Sequence, residues 1–269
     1  MRVIDHIVYN DELDMLLMRM RCLDPVVDKF HIIEGDFSFT GKYKGFKFAS
    51  RFMEDKRFNE FGKKIHLSCF MMGESVPDMV YINKKTSWQN EWDTRDELLR
   101  RAKMYHKEGD IHILSDVDEI PSRFAVELVK SAKESGNIKF PIVSSLNYYY
   151  YDFDHQWKDN CLCNIFFTDF KRSAKRMRKY RRRYSRIYGG WHCSYFGGTD
   201  TVLNKIHSFA HTELLDGKRN TKEWVESCIS KGIDFIGGKK RGILIQKQNN
   251  VESLPDYAQE AYAKYISKT

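Results

Sequence analysis

Residues 110–121 read Asp-Ile-His-Ile-Leu-Ser-Asp-Val-Asp-Glu-Ile-Pro, an apolar run that gives way to a cluster of carboxylates. The apolar run predicts a strand over 110–115 that breaks where carboxylates and a proline follow one another. Ser122 then stands as an N-cap. The helix behind it has Ala125, Leu128, Val129 and Ala132 as its apolar face and Gly136 at its end. Upstream, Leu13, Leu16, Leu17 and Met20 recur at helical spacing, predicting a helix over 11–22 that Asp24-Pro25 stops. Short apolar runs at 30–34 and 64–70 read as strands. Thr94 and Glu97 form a capping box that opens a helix running to about Lys107. This alternation predicts an α/β class with a mostly parallel, Rossmann-like sheet. Residues 139–198 are strand-rich and aromatic, and helices are expected over 200–210 and 221–230. The whole reads as a single Rossmann-like mixed sheet flanked by helices, one domain over 1–269.

Asp116 and Asp118 sit where the strand over 110–115 stops. Ligands of open α/β sheets bind at the carboxyl ends of strands. Residues i and i+2 of a strand share a face, so both carboxylates can meet one hard divalent cation. A solvated acidic turn is the plainer alternative. A second cluster, residues 189–198 (GGWHCSYFGG), pairs glycines that let backbone approach a ligand with Trp191, a face on which a sugar can stack. Asp200 follows at a predicted helix start, where an ionised carboxylate is stabilised and available as a base. Trp191 as core and Asp200 as a plain cap remain open beside that reading. Of the run Tyr148-Tyr-Tyr-Tyr151, alternate members are expected in the core.

The chain of 269 residues carries a formal charge of +8, with 42% hydrophobic and 30% charged residues, which fits a globular protein and excludes a disordered or fibrous one. Ten of its Lys and Arg residues and no acid fall within residues 171–186 (KRSAKRMRKYRRRYSR), so the remainder is slightly acidic. This segment reads as a loop contacting a diphosphate or acidic acceptor, as a nucleic-acid contact, or as a solvated face. The second reading carries the rival function, a nucleic-acid-binding protein or a metal-dependent nuclease. No apolar run reaches the ~18–20 residues of a membrane span, and no signal peptide is evident. Cys22, Cys69, Cys161, Cys163, Cys193 and Cys228 form no CxxC pair, so reduced thiols and a cytoplasmic location are expected.

In several ordered blocks the sequence resembles glycosyltransferase family 17, the β-1,4-mannosyl-glycoprotein N-acetylglucosaminyltransferases. The blocks are residues 10–14 with Arg19, 27–34 through 39–42, 92–95, 115–121, 190–198 and 205–213. The resemblance implies a GT-A type fold, a UDP-sugar donor (UDP-GlcNAc foremost), a Mn²⁺ or Mg²⁺ ion and inversion at the anomeric carbon. It implies a nucleotide-sugar half over 1–138 and an acceptor half over 139–269. Asp116 and Asp118 would hold the metal, with His211 as a further ligand. Asp200 is the expected base, with Glu213 and Glu119 as alternatives. Asn10, Glu12, Glu34, Arg95, Asp116, Trp191 and His192 would line the donor site. Arg19 is expected to pair with a carboxylate for structural reasons. Animal members carry a Golgi anchor that is not evident here, so the expected acceptor is a glycan or glycoconjugate other than a bisected N-glycan, in a bacterial or viral setting.

Overall fold

A computed structural model describes the chain except for residues 72–83, 158–160, 209–216, 237–245, 248–256 and 259–269. In chain order its strands are β1 (Val3–Tyr9), β2 (Lys29–Gly35), β3 (Ile65–Phe70), β4 (Ile111–Asp116), β5 (Glu119–Pro121), β6 (Ile142–Tyr149), β7 (His155–Gln156), β8 (Cys161–Thr168), β9 (Ser185–Cys193) and β10 (Gln246–Lys247). The helices are α1 (Leu13–Leu23), α2 (Lys47–Phe52), α3 (Lys84–Met104), α4 (Arg123–Glu134), α5 (Ala174–Lys179), α6 (Gly198–Ser208) and α7 (Lys222–Lys231).

All ten strands belong to one mixed sheet in the order β10-β7-β6-β8-β4-β1-β2-β3, with β9 joined to β6 and β5 to β9. The first half, β3-β2-β1-β4, is wholly parallel. Beyond β4 the pairing turns largely antiparallel, through β8 on β4, β6 on β8 and β5 on β9, while β9 runs parallel to β6. The single mixed sheet flanked by helices is thus observed, and only the expectation that it be mostly parallel fails, beyond β4. A parallel neighbour needs a long crossover, and residues 139–198 hold too little helix to supply several.

The first strand escaped the sequence reading because Asp5 and His6 interrupt its apolar run, yet both are fully buried. Asp5 meets Arg19 from α1. His6 belongs to a row of imidazoles crossing the parallel strands: His106 Nδ1 to His112 Nε2 at 2.9 Å, His112 Nδ1 to His6 Nε2 at 2.9 Å, and His6 Nδ1 to His31 Nδ1 at 2.8 Å. His31 Nε2 continues to Ser68 Oγ at 2.9 Å. Burial first, then neighbouring imidazoles, drives the His6, His31 and His112 rings toward the neutral form, with His31 and His112 pushed down to about 3 and His6 also well below its ordinary value. An unfolded chain takes up the same protons near pH 6.5. The stability tied to their neutrality is thus present above about pH 6.5 and is lost as pH falls toward 3, at up to about 1.4 kcal/mol per pH unit for each ring. The urea midpoint is expected to fall steeply between pH 6.5 and 5; a flat midpoint over that interval would contradict a neutral row.

Two apolar layers cover the sheet. One packs α1 and α4 through Leu16, Leu17, Met20, Ala125, Val126 and Val129; the other packs α3 and α5 through Leu98, Leu99, Ala102, Ala174 and Met177. Ser122 caps α4 as expected, its Oγ accepting from the Ala125 amide at 3.1 Å. Val126, not Leu128, completes the buried face, and Leu128 is exposed. Residues 94–97 open no helix. α3 begins at Lys84, and Thr94 lies within it, its hydroxyl bonded to the Asn90 carbonyl one turn back. The helix predicted over 200–210 appears as α6, and that over 221–230 as α7 with Thr221 as its N-cap.

Candidate functional site

Strand β1 pairs with β2 on one side and β4 on the other: the chain leaves it through α1 toward β2 and β3 and returns through α3 to β4, so the strand order reverses beside β1. A crevice opens at the carboxyl ends of two such strands. Asn10 and Glu12 follow β1 there, and Asp116, Val117 and Asp118 end and follow β4. These residues line a cavity of about 300 Å³ with Glu119, Glu91 and Arg95 of α3, Arg178 of α5, Tyr148 of β6, His192 of β9 and Lys205 of α6.

Arg19, wholly buried, fixes the turn that carries the carboxylates. Its Nε and Nη2 clasp Asp5 at 2.8 and 2.6 Å. Its Nη1 donates to the carbonyls of Asp116 at 2.9 Å and Glu119 at 2.6 Å, and Nη2 also reaches Ser115 Oγ at 2.7 Å. A guanidinium has five N–H donors, and all five are used. The expected structural pairing of Arg19 is observed, and it extends to the backbone of the Asp-Val-Asp-Glu turn.

Both aspartates of that turn meet a cation. Arg95 grips Asp116 through both nitrogens, at 2.5 and 2.8 Å, and Glu91 braces Arg95 at 3.1 Å. Asp118 Oδ2 accepts from Lys205 Nζ at 2.5 Å and lies 3.7 Å from His192 Nε2. Burial pushes the Asp118 carboxyl up, but Lys205 and His192 outweigh it and hold it well below the usual carboxylate range. Burial likewise disfavours the Lys205 ammonium, which Asp118 and Glu12 hold charged. Glu12, 3.7 Å from Lys205, is different. Burial raises it, Lys205 only partly offsets that, and the charges of Asp118 and Asp116 raise it further, to about 7.

The glycine-aromatic block divides by strand alternation. His192 turns into the cavity and stacks on Tyr148 at 4.5 Å and 6°, with Trp157 stacked beyond at 5.6 Å. Trp191 packs against the hydrophobic layer under α4 and does not line the cavity. Gly189 and Gly190 admit neighbouring chain, not a ligand. A Cβ on Gly190, at φ +126°, would stand 2.3 Å from the Ile120 carbonyl oxygen, and one on Gly189 2.6 Å from Ser122 Oγ. Of the run 148–151, Tyr149, Tyr150 and Tyr151 are all buried while Tyr148 lines the cavity, because β6 ends at Tyr149 and alternation stops with it.

Among the other expected site residues, Asn10, Glu12, Arg95, Asp116, Asp118, Glu119 and His192 come together. Glu34 is buried away from the cavity, where it accepts the Phe48 and Ala49 amides at 3.0 and 3.2 Å and so satisfies the start of α2. Asp200 lies in the first turn of α6 with its side chain 84% exposed, 4.0 Å from Lys222, and does not line the cavity. His211 and Glu213 lie outside the described residues. The sequence reading missed Lys205 and Arg178 as site residues. Lys205 sits in a quoted block. Arg178 was hidden among ten cations, and the clue was its position next to Met177, on the buried edge of α5. Its guanidinium reaches Glu91 Oε1 at 2.7 Å and lies 5.7 Å over the Trp92 ring.

Among the described residues, no three His, Cys, Asp or Glu side chains form a ready-made metal cage. The donor chemistry nonetheless fits a hard cation. The cavity holds Glu12, Glu91, Asp116, Asp118 and Glu119 against Arg95, Arg178 and Lys205, an excess of acid that would repel a diphosphate. Cations of the Mg²⁺ kind are commonly held by one or two carboxylates plus substrate phosphates.

No helix among the described residues is long and apolar enough to cross a membrane. Comparison with curated proteins returns no match. Among solved structures, mannose-6-phosphate isomerase from Helicobacter pylori aligns with 100% of this chain and 95% of its own, at 9% identity and a TM-score of 0.33, too distant to carry an argument. The family description that does match is Glycosyltransferase family 17, over residues 1–238. That span takes in both carboxylates, Glu12, Arg95, Arg178 and Lys205, and the chain belongs to glycosyltransferase family 17.

Proposed function

We propose that the crevice at the ends of β1 and β4 is the donor site of a metal-dependent, inverting glycosyltransferase of GT-A type that moves GlcNAc from UDP-GlcNAc to a glycan hydroxyl. The observation that carries this reading is the convergence of Asp116 and Asp118 with Asn10 and Glu12 at the point where the parallel strands diverge. The domain is single, spanning residues 1–269, with most of the donor contacts in 1–138.

Asp118, with Asp116 beside it, would hold Mn²⁺ or Mg²⁺ against the donor phosphates; His211 is a further candidate ligand. When bound, the ion supplies positive charge to the leaving diphosphate. Arg95 and Arg178 add fixed guanidiniums on the same side. Tyr148 and His192 offer a stacked aromatic wall for an apolar ring face. Glu12 is the base we assign, ahead of Asp200, Glu119 and Glu213. It lines this cavity and also the neighbouring groove, so it stands where an acceptor hydroxyl would enter. The acceptor oxygen gives its proton to Glu12 and bonds to the anomeric carbon as the bond to the diphosphate oxygen breaks and UDP leaves.

A nuclease or nucleic-acid-binding reading is not favoured. The family match over residues 1–238 is to a glycosyltransferase family, and of the basic segment only Arg178 lines the cavity. The test is thermal: UDP with Mn²⁺ is expected to raise the melting temperature, and no shift at millimolar concentration would overturn the reading. Glu12→Gln is expected to lower kcat about 10²–10⁴-fold and to flatten a profile that in the wild type rises with pH through about 7, while Asp200→Asn stays near wild type. Loss of transfer in Asp200→Asn with Glu12→Gln active would reverse the assignment.

A further inference from the structure

Next to the donor cavity lies a second groove of about 500 Å³ whose walls share Asn10, Glu12, Lys205 and Ser208 with it. Its floor comes from α6 and its outer wall from residues 36–47, the segment between β2 and α2. That segment is firmly built. The amides of Lys44 and Gly45 donate to the Asp36 carbonyl at 2.8 and 3.0 Å, and the Ser38 amide donates to that of Lys42 at 2.8 Å. Thr40 Oγ1 ties it to α6 through the His207 carbonyl at 2.6 Å.

The charge of the groove is unbalanced. Lys42, Lys44, Lys47 and Lys205 line it against Asp11 and Glu12. Asp11 is taken by Lys47 and by Arg51 at 3.0 Å, and Glu12 shares Lys205 with Asp118. Lys42 is exposed, and its ammonium meets no carboxylate among the described residues. The Lys44 ammonium is buried with no hydrogen-bond partner there. Its nearest carboxylate among the described residues is Glu34 at 3.5 Å, whose oxygens also serve the α2 amides. Burial accordingly pulls the Lys44 ammonium below its ordinary range. An anion held beside Lys42 in this groove would add charge of the sign that favours the Lys44 ammonium. Tyr43 stands 67% exposed at the rim, an aromatic face for a sugar ring, and Ser38, Thr201 and Asn204 add hydroxyl and amide partners.

We propose that this groove is the acceptor subsite and that it selects a glycan bearing a carboxylate or phosphate, whose anion is held by Lys42 and Lys44 while its hydroxyl reaches Glu12. The proposal rests on the donor-site reading, because it needs the adjoining cavity to hold the sugar being moved. It also draws the acceptor side from both halves of the chain.

The test measures calorimetric binding, in the presence of saturating UDP and Mn²⁺, of a neutral galactan tetramer, tetragalacturonate and the tetramer phosphorylated at O6. The acidic ligands are expected to bind about tenfold tighter than the neutral one, the scale of a charge-assisted hydrogen bond. The preferred acidic ligand separates carboxylate from phosphate as the group recognised. Lys42→Gln and Lys44→Gln should each remove most of that preference. Lys42 is exposed, so its variant stays informative even if Lys44→Gln proves unstable. Equal affinity for all three tetramers, no binding of any, or a preference unchanged in Lys42→Gln would overturn the proposal. Failure of UDP itself to bind would instead sink the donor-site reading, which keeps the two failures apart.

Discussion

Replacing Asp118 with asparagine is expected to cost at least about 10²–10³-fold in kcat/KM, the scale at which one charged group beside developing charge acts. The amide keeps the shape of the side chain but not its charge. Lys205, held by Asp118 at 2.5 Å, then turns its interaction to Glu12 at 3.7 Å. An ammonium committed to Glu12 lowers that group's proton affinity, so the variant is expected to lose both its cation ligand and the tuning of its base. The stabilisation by UDP with Mn²⁺ should vanish with it. A variant that keeps wild-type kcat/KM would remove Asp118 from the chemistry.

Replacing Arg19 with methionine is the second large effect, and it falls on stability first. Asp5 would remain in the core as a carboxylate without a partner, since both sides of the pair are 0% exposed. Removing one member of a buried ion pair costs about 3–5 kcal/mol. The Asp116 and Glu119 carbonyls would also lose the donor that fixes their turn. Chemical denaturation of Arg19→Met should show that loss. The double variant Asp5→Leu with Arg19→Met should recover much of the stability, because an apolar pair can replace a buried ionic one. It should not recover activity, because the carboxylate turn stays unanchored. A double variant with full activity would show that Arg19 serves the core alone.

Much of this architecture was legible where a single periodicity governs a segment. Leu13 to Met20, the apolar run before Asp116 and the Ser122 cap each read correctly because local pattern and final burial agree. Legibility failed where burial is met by a distant partner. Asp5 and His6 look polar along the chain, yet Arg19 and the imidazole row supply across the sheet what water would otherwise give, so β1 went unread. The change from parallel to antiparallel pairing beyond β4 is a property of crossovers, which residues 139–198 express only by lacking helix. In the site, the turn of carboxylates was readable from its place at a strand end, and His192 from the family resemblance alone. The inward face of Arg178 and the exposure of Asp200 depend on how α5 and α6 are rolled against the sheet, which no local spacing sets. Glu34 shows the converse: it matches a site block but serves the start of α2.

Incubating the protein with Mn²⁺ and a panel of nucleotide-sugars shows whether the crevice holding Asp116 and Asp118 is a metal-dependent sugar-donor site. The wild type is expected to release UDP from UDP-GlcNAc ahead of the other donors, with release abolished by chelation and by Asp118→Asn. Turnover of no nucleotide-sugar, or release of UDP at equal rates by wild type and Asp118→Asn, would contradict it.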